Sequence, residues 1–215
     1  MRELETRAYN FEIRATEDNG VGVLTGRPIV YNQRTNLGYF DEIIDGGALD
    51  GADLTDVRFL INHDFSRIPL ARSRRNNGNS TMQFSLDQDG MILDWVKLDL
   101  KNNTDARSLY SAIERGDISG MSFAFSISGE AWENLESDHP TRHITHIESV
   151  VEVSAVTFPA YTTTSIHTER GDSKALDSAR DVLERARADA VKDVSGKGTA
   201  DDLELLKLRT KLLTL

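Results

Sequence analysis

The 215-residue sequence predicts a mainly β domain over residues 1–167 with peripheral helices, then a linker and helical C-terminal arm over 168–215. Three observations carry that prediction. From residue 7 to about 167, short apolar stretches alternate with polar neighbours and are broken by turn residues, the period of strands with one buried face. Within that span Thr104 to Gly116 keeps a helical stripe instead. After Ile166 the composition changes; Thr162-Thr163-Thr164 just before it and Glu169-Arg170-Gly171-Asp172-Ser173 after it read as a linker.

Taken in order, Tyr9, Phe11 and Ile13 alternate with polar residues, and Val21 to Leu24 follows a turn at Glu17-Asp18-Asn19-Gly20, so both read as strands. A short helix is expected over Gly47 to Asp56, and a strand over Val57 to Asn62. Gln83 to Leu86 and Met91 to Leu100 flank Asp87-Gln88-Asp89-Gly90, a hairpin whose glycine supplies a positive φ. The helix at 104–116 has Thr104 as its expected N-cap, Asp105 at the positive end of the dipole and Gly116 as a left-handed stop. Ala106, Leu109, Ala112 and Ile113 form its apolar stripe. Residues 174–191 have a helical pattern; a break at Val194 to Thr199 precedes Ala200 to Leu215, whose leucines also sit near helical spacing. This tail reads either as an interaction arm or as a helix packed back on the domain.

Composition removes several classes of function. With no cysteine there is no disulfide, cysteine nucleophile or thiolate metal site. A net charge of −10 argues against nucleic-acid binding, and the one basic cluster, Arg67 to Arg75, reads as a solvated loop beside a site. No apolar run approaches the roughly 20 residues of a membrane helix, and the charged N-terminus lacks a signal-peptide core, which together point to a cytoplasm. His139, His143 and His146 lie near Pro140 with no helical pattern to place the rings on one face, so neither metal nor cofactor is expected.

Three segments can carry chemistry. In strand geometry Met121, Phe123, Phe125 and Ile127 form a core face, while Ser122, Ala124, Ser126 and Ser128 form a face of small residues. Ser122, just after Gly120, stands at its entrance with room in front of it. A serine hydroxyl is a weak nucleophile without a base, and of five histidines only His63 follows an apolar strand that can aim its ring. In the third segment Ile147, Val151, Val153 and Ala155 share one face, and Glu148, Val150, Glu152, Ser154 and Val156 the other. Either carboxylate could hold the imidazole's second nitrogen. Pro159 ends the ladder, leaving the N–H groups of Ala160 and Tyr161 as a candidate oxyanion hole.

In this order, the strand ending Leu60-Ile61-Asn62-His63-Asp64, the serine strand Gly120-Met121-Ser122-Phe123-Ala124-Phe125 and the stretch Glu152 to Tyr161 resemble the phage prohead maturation protease family, relatives of the herpesvirus assemblins. The resemblance implies a closed or nearly closed β-barrel of the assemblin type with a Ser122–His63 core. Where assemblins use a second histidine, the corresponding position holds Glu152, with Glu148 in reserve. It further implies a serine endopeptidase in the host cytoplasm, inside the assembling prohead. Its expected partners are the major capsid protein, whose scaffolding segment it would cleave, and the enzyme itself, by autoproteolysis. A homo-oligomer stays open. The competing reading is a noncatalytic capsid or scaffold component, a β domain with a helical arm; a small-ester hydrolase would need a Gly-x-Ser-x-Gly elbow that the chain lacks.

Overall fold

The computed structural model of the chain describes residues 4–9, 13–157 and 172–197. Eleven strands and two helices follow one another as β1 (Glu5–Tyr9), β2 (Arg14–Asp18), β3 (Val21–Val30), β4 (Thr35–Asn36), β5 (Asp41–Ile44), β6 (Asp56–Ile61), β7 (Ala71–Arg74), β8 (Met82–Asp87), β9 (Gly90–Asp99), α1 (Thr104–Glu114), β10 (Gly120–Glu133), β11 (Thr141–Val156) and α2 (Asp172–Lys197). The fold is mainly β, as the alternation predicts.

The strands form two sheets and not the closed barrel expected from the resemblance. A seven-stranded sheet runs β1-β10-β11-β5-β4, with β6 and β7 added beside β11; a four-stranded sheet runs β2-β3-β9-β8. Among the described residues no strand ladder joins their edges. Contact between the sheets is side-chain packing with hydrogen bonds at the margins, among them Thr81, which donates to Arg72 O at 3.1 Å and accepts from Lys97 N at 2.8 Å, and Asn32 N, which donates to Ile44 O at 2.8 Å. One core lies between them, containing Leu24, Phe59, Met82, Leu93, Phe123, Phe125 and Val153, with α1 closing one side through Ala106, Leu109, Tyr110 and Ile113. Tyr110 takes the place expected for Ala112, which is half-buried.

Strand β11 is the spine of the large sheet. Its whole length pairs antiparallel with β10, while its other edge is shared in parallel by β5 near its start and β6 near its end. Between β5 and β6 the chain makes successive tight turns where a helix over 47–56 was expected. Gly47 and Gly51 adopt φ of 81° and 78°, which interrupt helical dihedrals. This segment instead hydrogen-bonds to β11, with Ile147 N donating to Ala48 O and Asp53 N to Glu148 O, both at 2.7 Å.

Other local readings are borne out or adjusted. Asp87 and Gly90 pair across a two-residue turn, with Gly90 at φ 126°. α1 is capped by Asn103, whose side chain accepts from Ala106 N at 3.1 Å, one residue before the expected Thr104; Gly116 is left-handed as predicted. The second half of the expected basic loop is a strand, β7. α2 runs through the expected breaks at Asp172–Ser173 and Val194, and its Ala179, Val182 and Leu183 pack on Leu37 and Phe40. Phe11, Thr162 to Thr164 and Ala200 to Leu215 lie outside the described residues.

Candidate active site

His63, the candidate base, sits on a turn that the sheet holds from several sides. β6 ends at Ile61, and Asn62 and His63 then take φ of 50° and 57°, a left-handed conformation that costs each L-residue roughly 1–2 kcal/mol. Hydrogen bonds offset that cost. Asn62 N donates to Ala155 O at 3.0 Å, continuing the β6–β11 ladder. The Asn62 amide extends it further, donating to Thr157 Oγ1 at 3.1 Å and accepting from Thr157 N at 2.9 Å. The turn folds the His63 ring back over β11, where Nδ1 lies 2.5 Å from Glu152 Oε1.

Glu152 is fully buried, while the His63 side chain stays 23% exposed. A charged carboxylate is strongly disfavoured away from water unless it is paired and hydrogen-bonded. Its second oxygen, Oε2, accepts from Ser154 Oγ at 2.5 Å. Ser154 Oγ in turn accepts the His63 backbone N–H at 3.1 Å. The other nearby carboxylate, Asp64, is turned away: hydrogen bonds from the Ser66 hydroxyl at 2.5 Å and Ser66 N at 3.0 Å hold its carboxyl below the ordinary range.

Of the two glutamates offered by the sequence, Glu152 meets His63 and Glu148 does not. Alternation along β11 was read as unbroken, but the β10–β11 register slips at Phe125↔Val150 and again at Ile127↔Ile147, so Val151 and Glu148 are each passed over. The bulges turn Val150 onto the core with Val153, against the expectation that it shares a face with Glu152. Glu148 is left half-buried and accepts a hydrogen bond from Ser126 Oγ at 3.3 Å.

Ser122 lies in the same neighbourhood, in the row Ala8, Ser122, Ser154, Leu60 that crosses β1, β10, β11 and β6. Neighbouring strands are about 4.8 Å apart, so Ser122 is one strand from the residue that bonds the His63 backbone. Its hydroxyl does not bond the imidazole in this structure; it donates to Arg7 O on β1 at 2.8 Å. The expectation of open space in front of it is also not met, because β1 pairs alongside and Ser122 is fully buried. Ala124 and Ser126 on the same face are buried too. The candidate oxyanion residues Ala160 and Tyr161 lie outside the described residues.

Sequence reasoning put Ser154 on the face of Glu152 and Asn62 beside His63 but gave neither a role. The first was legible in principle, since a polar residue two positions after Glu152 on a strand shares its face. The second was not, because a left-handed pair without glycine leaves no pattern.

Elsewhere His139 meets Asp41 at 2.9 Å, and His143 lies between Asp45 at 2.8 Å and Glu133 at 3.6 Å. Among the described residues no group of three metal-ligating side chains occurs, and no helix is long and apolar enough to cross a membrane.

No curated protein and no solved structure matched the chain. The chain matches the family model of the caudovirus prohead serine proteases over residues 9–195. The chain belongs to that family of serine peptidases, which act on capsid and scaffold proteins in the assembling phage prohead.

Proposed function

We propose that this chain cleaves the scaffolding segment of the major capsid protein, and then itself, through an acyl-enzyme formed on Ser122. The observation that carries the reading is the 2.5 Å contact between His63 Nδ1 and the buried Glu152 carboxylate, one strand from Ser122. A carboxylate only accepts, so the contact favours a proton on Nδ1 and leaves Nε2 with a lone pair for the serine proton.

In the proposed cycle the Ser122 hydroxyl leaves Arg7 O by rotation about its Cα–Cβ bond toward β11. His63 takes its proton as the oxygen attacks the scissile carbonyl, and returns that proton to the departing amine. Water, deprotonated by the same ring, then releases the acyl group. Glu152 orients the ring and stabilises its cationic form, and the N–H groups of Ala160 and Tyr161 are the candidate donors to the oxyanion. The helical segment after residue 167 serves as a targeting arm and as a self-cleavage region.

The test is coexpression of the wild-type chain or its Ser122→Ala variant with the capsid protein. Wild type should shorten the subunit, read by mass, and a fluorophosphonate should label Ser122. Ser122→Ala and His63→Ala should each lower cleavage by several orders of magnitude, because nucleophile and base act as one unit. Undiminished cleavage by Ser122→Ala refutes the assignment.

A further inference from the structure

We propose that Ser154 is a positioning residue: its single hydroxyl locks both the backbone and the acid partner of His63, and so fixes which ring nitrogen faces the nucleophile. The kinetic half of this inference rests on the assignment of Ser122 and His63 above; the spectroscopic half does not.

A serine hydroxyl has one hydrogen to give and lone pairs to accept with. Here the hydrogen goes to Glu152 Oε2 at 2.5 Å and a lone pair takes the His63 N–H at 3.1 Å. One fully buried atom therefore ties the left-handed turn to the carboxylate that must meet the ring of that same turn. Among the described residues Glu152 hydrogen-bonds to two side chains, His63 through Oε1 and Ser154 through Oε2. The two bonds fix the plane of the carboxylate, since neither oxygen can swing without breaking one of them. With the hydroxyl gone, Oε2 is left buried and unpartnered, a loss larger than an ordinary hydrogen bond because the acceptor carries charge. The carboxylate is then free to rotate, and the His63 backbone N–H loses its acceptor as well.

Register provides this arrangement. Ser154 follows Glu152 by two positions beyond the Val151 bulge, so both side chains rise from the same face, and Ser154 pairs with Leu60 just before the β6 turn. Its other lateral partner is Ser122. A residue without a hydroxyl at 154 would keep the strand and still lose the link.

The experiment compares Ser154→Ala and Ser154→Thr with the unmodified chain. The His63 Nδ1 proton is followed by NMR in a Ser122→Ala background that cannot digest itself, and turnover of a capsid-derived peptide is followed in the active background. Thermal unfolding of each variant confirms that the comparison is made on folded protein. In Ser154→Ala the far-downfield Nδ1 proton signal should move upfield or broaden by exchange, and kcat should fall about ten- to a hundredfold with KM little changed. Ser154→Thr keeps a hydroxyl and should retain the signal and most of the turnover. An unchanged signal in Ser154→Ala overturns the proposal, whatever the rate does. A shifted signal with kcat within twofold of the parent overturns it equally, by showing that the lock has no consequence for catalysis. If instead the parent chain shows no Ser122-dependent turnover while the signal responds as expected, the protease assignment fails and the structural lock stands.

Discussion

Two buried glutamates on the same sheet, Glu152 on β11 and Glu42 on β5, are held in opposite ways. Glu42 lies between two arginines: the Arg7 guanidinium grips both its oxygens, and Arg142 reaches Oε2 at 3.0 Å. Arg142 also bonds Glu5 at 2.7 and 2.9 Å and Glu130 at 2.7 Å, so β1, β5, β10 and β11 are joined through a guanidinium that keeps its charge at neutral pH. Burial works against the charge of Arg142, but its bond to Glu5 and the charges of Glu42 and Glu5 outweigh that and raise its pKa further. Among the described residues no guanidinium bonds Glu152. It has a hydroxyl and an imidazole, a partner that can gain and lose a proton. Equal burial thus serves two ends: permanent cations make a carboxylate a fastener, whereas in the proposed mechanism an imidazole partner makes it part of a proton-handling unit.

The sharpest way to break this contrast is to neutralise each acid in turn. Glu152→Gln should lower peptide turnover by about 10⁴-fold, through loss of ring orientation and of support for the imidazolium. Turnover within tenfold of the parent would show that Glu152 is only structural. Glu42→Gln should leave kcat within a few fold and instead lower the unfolding free energy by about 1.5–3 kcal/mol, the worth of a hydrogen bond to a charged group. A larger loss of stability is expected from Arg142→Ala, which removes the partner shared by Glu5, Glu42 and Glu130 and should cost about 3–5 kcal/mol, measured by urea unfolding. A loss under 1 kcal/mol would mean that the cluster is not a fastener.

Acid should then separate the two regions. Burial opposes the charge on Glu5, but its bond to Arg142 and the charges of Arg7 and Arg142 prevail and bring its pKa from 4.5 down to about 2. A depressed carboxyl contributes stability above its unfolded value and loses it as pH falls through the folded one. The displacement corresponds to roughly 3 kcal/mol, present at neutral pH and lost between about pH 4.5 and 2. Urea midpoints across that window should fall steeply in the parent chain and more gently in Glu5→Gln. Equal slopes would refute the role assigned to Glu5.

What could be read in the sequence, and what could not, follows the range of the forces. The β8–β9 hairpin was legible because Asp87 to Gly90 fixes its turn locally, and α1 because its stripe and its Gly116 stop are local as well. Ser122 was legible as a strand residue and His63 as the end of an apolar strand, though not the left-handed turn that carries it. The choice between Glu152 and Glu148 was not, because period two treats them alike and the bulges that separate them form only against β10 and the turns before β6. The helix expected over 47–56 failed for the same reason: Ala48 and Asp53 bond to β11 rather than to each other. The barrel failed because closure depends on which edges meet, and each strand's own pattern is satisfied equally by two packed sheets. The burial of Ser122 depends on β1, more than a hundred residues away in sequence.

The smallest effect tests the turn that the site depends on. Asn62→Ala puts a Cβ-bearing residue without a polar side chain at φ 50° and deletes both side-chain bonds to Thr157. Asparagine tolerates this left-handed conformation better than alanine does, and exposed hydrogen bonds are individually weak, so the expected loss is about 1–2 kcal/mol of stability. Asn62→Gly also loses those bonds but has no steric objection to a positive φ, and should recover part of the loss. If strain at the turn governs where His63 points, turnover should rank parent, then Asn62→Gly, then Asn62→Ala. If the Thr157 bonds govern it instead, the two variants should be equally slow, and the rank order decides between backbone and side chain as what holds the base over Glu152.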